Sequence, residues 1–200
     1  MPTAVLPLGV VRPDLPAVAE PDASASGLED GHGRTARDLR VSLTDRCSLR
    51  CSYCMPAEGL PWLPGRTILT DDEVGVLVRV AVEQLGVRKL RFTGGEPLLR
   101  PGLARIIAAA ASLRTDEGRV PELSLTTNGV GLDRRIESLA AAGLQRVNIS
   151  LDSLDRERYA ALARRDRLDD VLRGLAAADA AGLRPGKVNT VVMRGVNEGD

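Results

Sequence analysis

From Asp38 onward the chain moves between two rhythms of polar and apolar residues. Short runs change polarity at every residue, the period of a strand with unlike faces. Longer runs repeat apolar residues every three or four positions, the period of a helix packed along one side. Strands are predicted at Leu39–Leu43, Arg88–Thr93, Leu123–Thr127, Arg146–Leu151 and Lys187–Met193. Helices fill the gaps. The first opens at the capping box Thr70-Asp71-Asp72-Glu73, runs to about Leu85 and stops at Gly86. A second begins near Pro101, a residue suited to a first helical turn, and reaches about Leu113. A third ends near Ala142, and helical periodicity then covers Asp155 to Ala181 in two pieces. Pro56, Pro61 and Pro64 keep the stretch after the first strand irregular.

Strands alternating with helices imply right-handed crossovers and a parallel sheet. The fold class expected is α/β, as a partial (β/α) barrel of about five units. Side chains alternate across each strand, so its two faces can be read separately. Leu39, Val41 and Leu43 oppose Arg40 and Ser42; Leu90 and Phe92 oppose Arg91 and Thr93; Leu123 and Leu125 oppose Ser124 and Thr126. Val147, Ile149 and Leu151 oppose Asn148 and Ser150, and Val188 and Val192 oppose Lys187 and Asn189. The apolar faces must meet the helices, which leaves the polar faces to line the interior. Ordinary closed barrels fill that space with Val, Ile and Leu. An unpaired polar group there costs about 1–3 kcal/mol, so this interior is wet or holds a ligand. Arg40, Arg91 and Lys187 place three cations on it with no carboxylate expected opposite. Their natural partner is an anion, and phosphate suits the planar fork of arginine.

Composition narrows the classes. The chain has 200 residues, 44% hydrophobic and 27% charged, with a formal net charge of zero. That balance excludes a nucleic-acid-coating or membrane-surface protein, and no apolar run approaches the roughly 20 residues of a membrane span. The start, Leu6-Pro7-Leu8-Gly9-Val10-Val11, is too short and proline-broken for a signal peptide. A reducing cytoplasm is the expected compartment. Residues 1–36 are rich in Pro, Ala, Ser, Gly and acids without a period; they are expected to be a disordered extension, with His32 exposed, ahead of a core domain at 37–200.

The chemistry concentrates in Cys47-Ser48-Leu49-Arg50-Cys51-Ser52-Tyr53-Cys54, which holds all three cysteines as C-x3-C-x2-C. Soft thiolates this close can converge on one metal centre. A structural zinc site wants four ligands in a closed tetrahedron, and a fourth is not evident. A disulfide framework wants an even count. Thiolates also hold iron–sulfur clusters, for which four is the usual set. Three would leave one iron open, and open positions are where metal sites do chemistry. On these residues alone a reactive cluster, a zinc site completed by an unseen ligand and inert buried thiols all remain readings.

C-x3-C-x2-C with an aromatic residue before the last cysteine resembles the signature of the radical S-adenosylmethionine (SAM) enzymes. The wider run Thr44 to Pro56, with Arg91 to Pro97 and the Thr126-Thr127-Asn128-Gly129 turn, is similar to one branch of them, the GTP 3′,8-cyclase family of molybdenum cofactor biosynthesis. Ser48 stands where that family often has Asn. The resemblance implies a (β/α)6-type barrel, so a sixth unit would be missing here. It implies that Cys47, Cys51 and Cys54 hold a 4Fe-4S cluster whose open iron binds SAM. Tyr53, Gly95 in Gly94-Gly95-Glu96-Pro97, and Ser150 fall at family SAM contacts; Arg40, Arg91, Thr126 and Lys187 fall at family GTP contacts. A second 4Fe-4S cluster, held by three cysteines in a C-terminal region, belongs to the family and has no counterpart in this sequence.

The implied reaction converts GTP to 3′,8-cyclo-7,8-dihydro-GTP through a 5′-deoxyadenosyl radical that takes the ribose 3′ hydrogen. No acid–base side chain is evident for it, and Asp152 is expected only to cap or turn the chain. Implied partners are GTP, an electron donor, a second copy of the chain in a homodimer, and a cyclic pyranopterin monophosphate synthase that receives the product. A radical SAM enzyme acting on a peptide would share the cysteine loop but has no need of three inward cations. An electron carrier should have four cysteine ligands and no polar interior, and a zinc-binding interaction module would stay colourless.

Overall fold

The structure is a computed structural model that describes residues 27–183 and 185–200. Its centre is a five-stranded parallel sheet in the order β1-β2-β3-β4-β5. The strands are β1 (Asp38–Ser42), β2 (Lys89–Thr93), β3 (Glu122–Thr127), β4 (Arg146–Ser150) and β5 (Pro185–Asn189). The helices between them are α1 (Asp71–Glu83), α2 (Leu103–Ala111), α3 (Ile136–Ala141), α4 (Arg156–Ala163) and α5 (Leu168–Ala180). Neighbours in sequence are neighbours in the sheet, as β/α repeats with same-handed crossovers require.

The alternation read from the sequence holds in β1 to β4; in β5 Val188 shares a face with Ile149 but is 49% exposed, and Val192, 66% exposed, lies past the end of the strand. Leu90, Phe92, Leu123, Leu125, Val147 and Ile149 are all 0% exposed on the face covered by helices. They pack with Val78 and Val82 of α1, Ile106 and Ile107 of α2, Leu139 of α3 and Val171 of α5. Burying one such side chain contributes about 1.5–3 kcal/mol, so this face commits the register of the sheet. A one-residue slip would turn every one of them onto the polar side. The Thr70–Glu73 capping box is present in full, each partner satisfying the other's backbone N–H.

Two boundaries differ from expectation. β5 starts at Pro185 and ends at Asn189, earlier than Lys187–Met193. The apolar run Val191-Val192-Met193 looks like strand by composition, but the Asp152 side chain takes the Val191 amide instead. The stretch after β3 forms a 3-10 turn (Leu132–Arg134) before the short α3. Residues 1–26 of the expected extension lie outside the described residues. Its last ten hold a turn closed by a Glu29–Thr35 bridge, with Asp30 accepting the His32 and Arg34 amides.

Candidate active site

The three cysteines follow β1 on a loop that other loops hold on several sides. The Gly95 amide donates to Thr44 O at 2.6 Å and the Glu96 amide to Arg46 O at 2.7 Å. A Cβ on Gly94 would lie 2.5 Å from Thr44 O, and one on Gly95 would lie 2.3 Å from Arg46 O. The glycine pair is therefore required by the cysteine loop's own backbone, which packs flush against it.

Glu96 completes the joint. It is 1% exposed, and its carboxylate accepts Leu98 N (2.9 Å), the Thr127 hydroxyl (2.7 Å) and Asn128 N (2.7 Å). Burial pushes its carboxyl up, opposed by these three donors. Asn128 then reaches back to the cysteines, its Nδ2 lying 3.1 Å from Ser48 Oγ and 3.7 Å from Cys47 Sγ. The Thr-Thr-Asn-Gly turn was legible as a motif, but its contact with the cysteine loop was not.

On the other side the loop rests on α4. A helix end leaves its last carbonyls without partners. Here Ala163 O takes the Arg50 amide at 3.0 Å and Leu162 O takes the Ser52 amide at 2.8 Å. Arg164, left-handed at φ 51°, ends the helix and donates to Met55 O at 2.8 Å. Nothing in the periodicity of α4 signalled this support, because it is made by backbone groups more than a hundred residues apart in sequence.

Cys47 and Cys51 are partly buried and Cys54 is exposed; all are free thiols. Burial pushes the Cys47 thiol up, and pushes Cys51 up to about 11. Thiolates must form for a metal to bind, so these two need a positive partner to lose their protons. Among the described residues no three His, Cys, Asp or Glu side chains gather tightly round a single ion. In an iron–sulfur cluster each thiolate takes a different iron, so its ligands sit farther apart than those of one zinc. Three free, soft thiols on one clamped loop fit that group. Tyr53 donates its hydroxyl to Asp152 Oδ2 at 2.7 Å. Ser150 sits two residues before Asp152 at the end of β4, in register with Asn189.

Below this rim runs a groove of about 450 Å³ on the polar side of the sheet. Arg40, Arg91, Thr126 and Lys187 all line it, together with Ser124, Asn148 and Asn189. Register puts Arg40, Arg91, Ser124 and Arg146 on one rung, and Thr126, Asn148 and Lys187 on another. Asp38, Lys89, Glu122 and Arg146 also line the groove, so the inward faces do carry carboxylates, contrary to expectation. Glu122 is engaged at the strand starts by Arg146 at 3.0 Å and by Lys89 at 3.9 Å. Arg40, Arg91 and Lys187 make no ion pair among the described residues. Like charges on adjacent strands repel, and a bound anion would relieve that.

The sequence pattern of the Radical SAM superfamily matches residues 41–200. The chain belongs to the radical SAM superfamily. Curated relatives named GTP 3′,8-cyclase include one from Corynebacterium glutamicum, 65% identical over 86% of this chain and 46% of that one, and one from Mycobacterium marinum, 61% identical over 86% and 47%. The chain thus spans about half the length of the curated relatives it matches. Among solved structures, Streptococcus suis SuiB bound to S-adenosylmethionine aligns with TM-score 0.59 at 20% identity, over 79% of this chain and 34% of that one. At that identity the likeness speaks for the radical SAM fold.

Proposed function

We propose that this chain carries the cluster-holding and nucleotide-holding parts of a GTP 3′,8-cyclase, which turns GTP into 3′,8-cyclo-7,8-dihydro-GTP in molybdenum cofactor biosynthesis. The observation that carries this reading is the groove, where Arg40, Arg91, Thr126 and Lys187 converge from four strands beneath the cysteine loop. The identity to chains of that name supports the substrate. When bound, a 4Fe-4S cluster and SAM supply a one-electron cleavage and a carbon radical able to take hydrogen from a ribose.

The chain's own residues hold and orient. Cys47, Cys51 and Cys54 are the ligands of the cluster. Gly95, Tyr53 and Ser150, on three segments that meet at the rim, border the position of SAM. Arg40, Arg91 and Lys187 take the triphosphate, and Thr126, in register beside Asn148, adds a hydroxyl. Fixing the phosphates deep in the groove presents the ribose toward the rim, and orientation of this kind is worth several kcal/mol of barrier. A second cluster would be supplied by sequence the relatives have and this chain does not match. The electron comes from a separate reductant, the product goes on to a cyclic pyranopterin monophosphate synthase, and the protein works as a homodimer in the cytoplasm. Among the described residues no helix is long and apolar enough to cross a membrane.

The test is anaerobic reconstitution with iron and sulfide, then dithionite and SAM, with and without GTP. Formation of 5′-deoxyadenosine that GTP accelerates supports the reading. Cluster loading with no response to GTP, and none to inosine or adenosine triphosphate, would move the protein to another radical SAM reaction.

A further inference from the structure

Arg40, Arg91 and Lys187 face the groove without an ion pair among the described residues, but a fourth cation, Arg146, is held differently. Register runs from Arg40 through Arg91 and Ser124 to Arg146 on four neighbouring strands. Arg146 thus stands on the arginine rung, yet it reaches back toward the strand starts, where its Nη1 lies 3.0 Å from Glu122 Oε1. Lys89 Nζ approaches the other oxygen of that carboxylate at 3.9 Å, from the position directly opposite Glu122 in the sheet.

These three side chains border two spaces at once. They line the deep end of the groove, and they line a cavity of about 690 Å³ beyond it, to which Arg37, Arg88 and Thr115 also contribute. The Glu122 pairs therefore mark where the groove ends. Alternate residues of a strand are about 7 Å apart. The rung of Thr126, Asn148 and Lys187, the arginine rung and the Glu122 rung accordingly lie at successive depths. A polyphosphate tail can follow that descent, and a single phosphate cannot.

We propose that Arg146 reads the terminal phosphate of the nucleotide, leaving Glu122 when that phosphate arrives, and that Glu122 is a positioning residue that holds Arg146 at the end of the groove until then. This rests on the reading of the groove as a triphosphate site, and adds a preference for three phosphates over two. Strength decides the direction of the exchange. The Arg146 side chain is 58% exposed, and an exposed ion pair favours its closed form by about fivefold at most. A charge-assisted contact between guanidinium and phosphate is worth about ten- to a hundredfold. Glu122 keeps Lys89 after the exchange, so its carboxylate is not left without a cation.

Calorimetry on Arg146→Gln tests this with GTP, GDP, inorganic tripolyphosphate and pyrophosphate. GTP and tripolyphosphate are expected to bind about tenfold or more weakly than to the parent, and GDP and pyrophosphate within about threefold of it. Arg146→Lys should recover part of the GTP affinity, since it restores the charge without the fork. Glu122→Gln should tighten GTP binding about threefold by freeing Arg146, with a smaller effect in the Arg146→Gln background. Equal losses for GTP and GDP, no loss for either, or the same gain from Glu122→Gln in both backgrounds overturns the proposal. A parent chain that binds tripolyphosphate but favours no guanosine nucleotide sinks the cyclase reading, and tripolyphosphate against pyrophosphate then decides the role of Arg146. A parent that binds neither GTP nor tripolyphosphate overturns both.

Discussion

The rim and the wall of the groove are built on opposite principles. At the rim, the groups that fix the cysteine loop find partners within the protein: Thr44 and Arg46 on Gly95 and Glu96, Arg50 and Ser52 on the end of α4, Tyr53 on Asp152. On the wall, Arg40, Arg91 and Lys187 face one groove and make no ion pair among the described residues. The rim must hold its geometry whether or not anything is bound. The wall stores repulsion that a ligand removes. The difference predicts that changes at the rim act on stability and loading, and changes on the wall act on affinity.

The largest effect should come from the cysteines. Cys51→Ala is expected to abolish cluster uptake, read as no iron retained after desalting and no 5′-deoxyadenosine, with folding intact. Next is Arg91→Ala. Losing a charge-assisted contact worth about 1.5–3 kcal/mol should weaken GTP binding by about ten- to a hundredfold by calorimetry. Its denaturant midpoint should hold or rise, since a repulsive rung is relieved. A midpoint that falls would break the contrast by making Arg91 structural.

Gly95→Ala should do the reverse. Its Cβ would meet Arg46 O at 2.3 Å, with backbone on both sides and little room to yield. A loss of about 2 kcal/mol in urea is expected, in the range of overpacking, with GTP affinity at the wall nearly unchanged once the chain is folded. The smallest effect sharpens the rim itself. In the metal-free chain, burial holds Cys51 as neutral thiol, so thiolate is scarce at pH 7 and grows tenfold per unit until about 11. Iodoacetamide should therefore label exposed Cys54 first, and Cys51 at a rate that climbs with pH across that window.

How much of this was readable in advance follows from the range of the interactions. The five strands, the capping box at Thr70 and the inward set Arg40, Arg91, Thr126 and Lys187 follow from periods of two and 3.6, which neighbouring residues carry. So does the cysteine motif, whose three thiols lie within eight residues. Glu122, Lys89, Asp38 and Arg146 obey the same alternation, and reading each strand one step further would have placed them in the groove. Asp152 and Asn128 left no such trace. A polar residue after a strand looks like any turn until the fold shows what it touches.

The sequence by itself determined the order of elements, the face each strand turns to the helices, and the chemistry of the cysteine loop. These depend on local periodicity and on residue type. Only the tertiary structure decided what holds that loop. The glycine pair packs against the loop's backbone, the end of α4 lends its carbonyls, and Asp152 joins Tyr53 to Val191. Those contacts join residues far apart in the chain, and backbone carbonyls carry no side-chain signature. Their geometry exists only once the apolar face of the sheet has been buried.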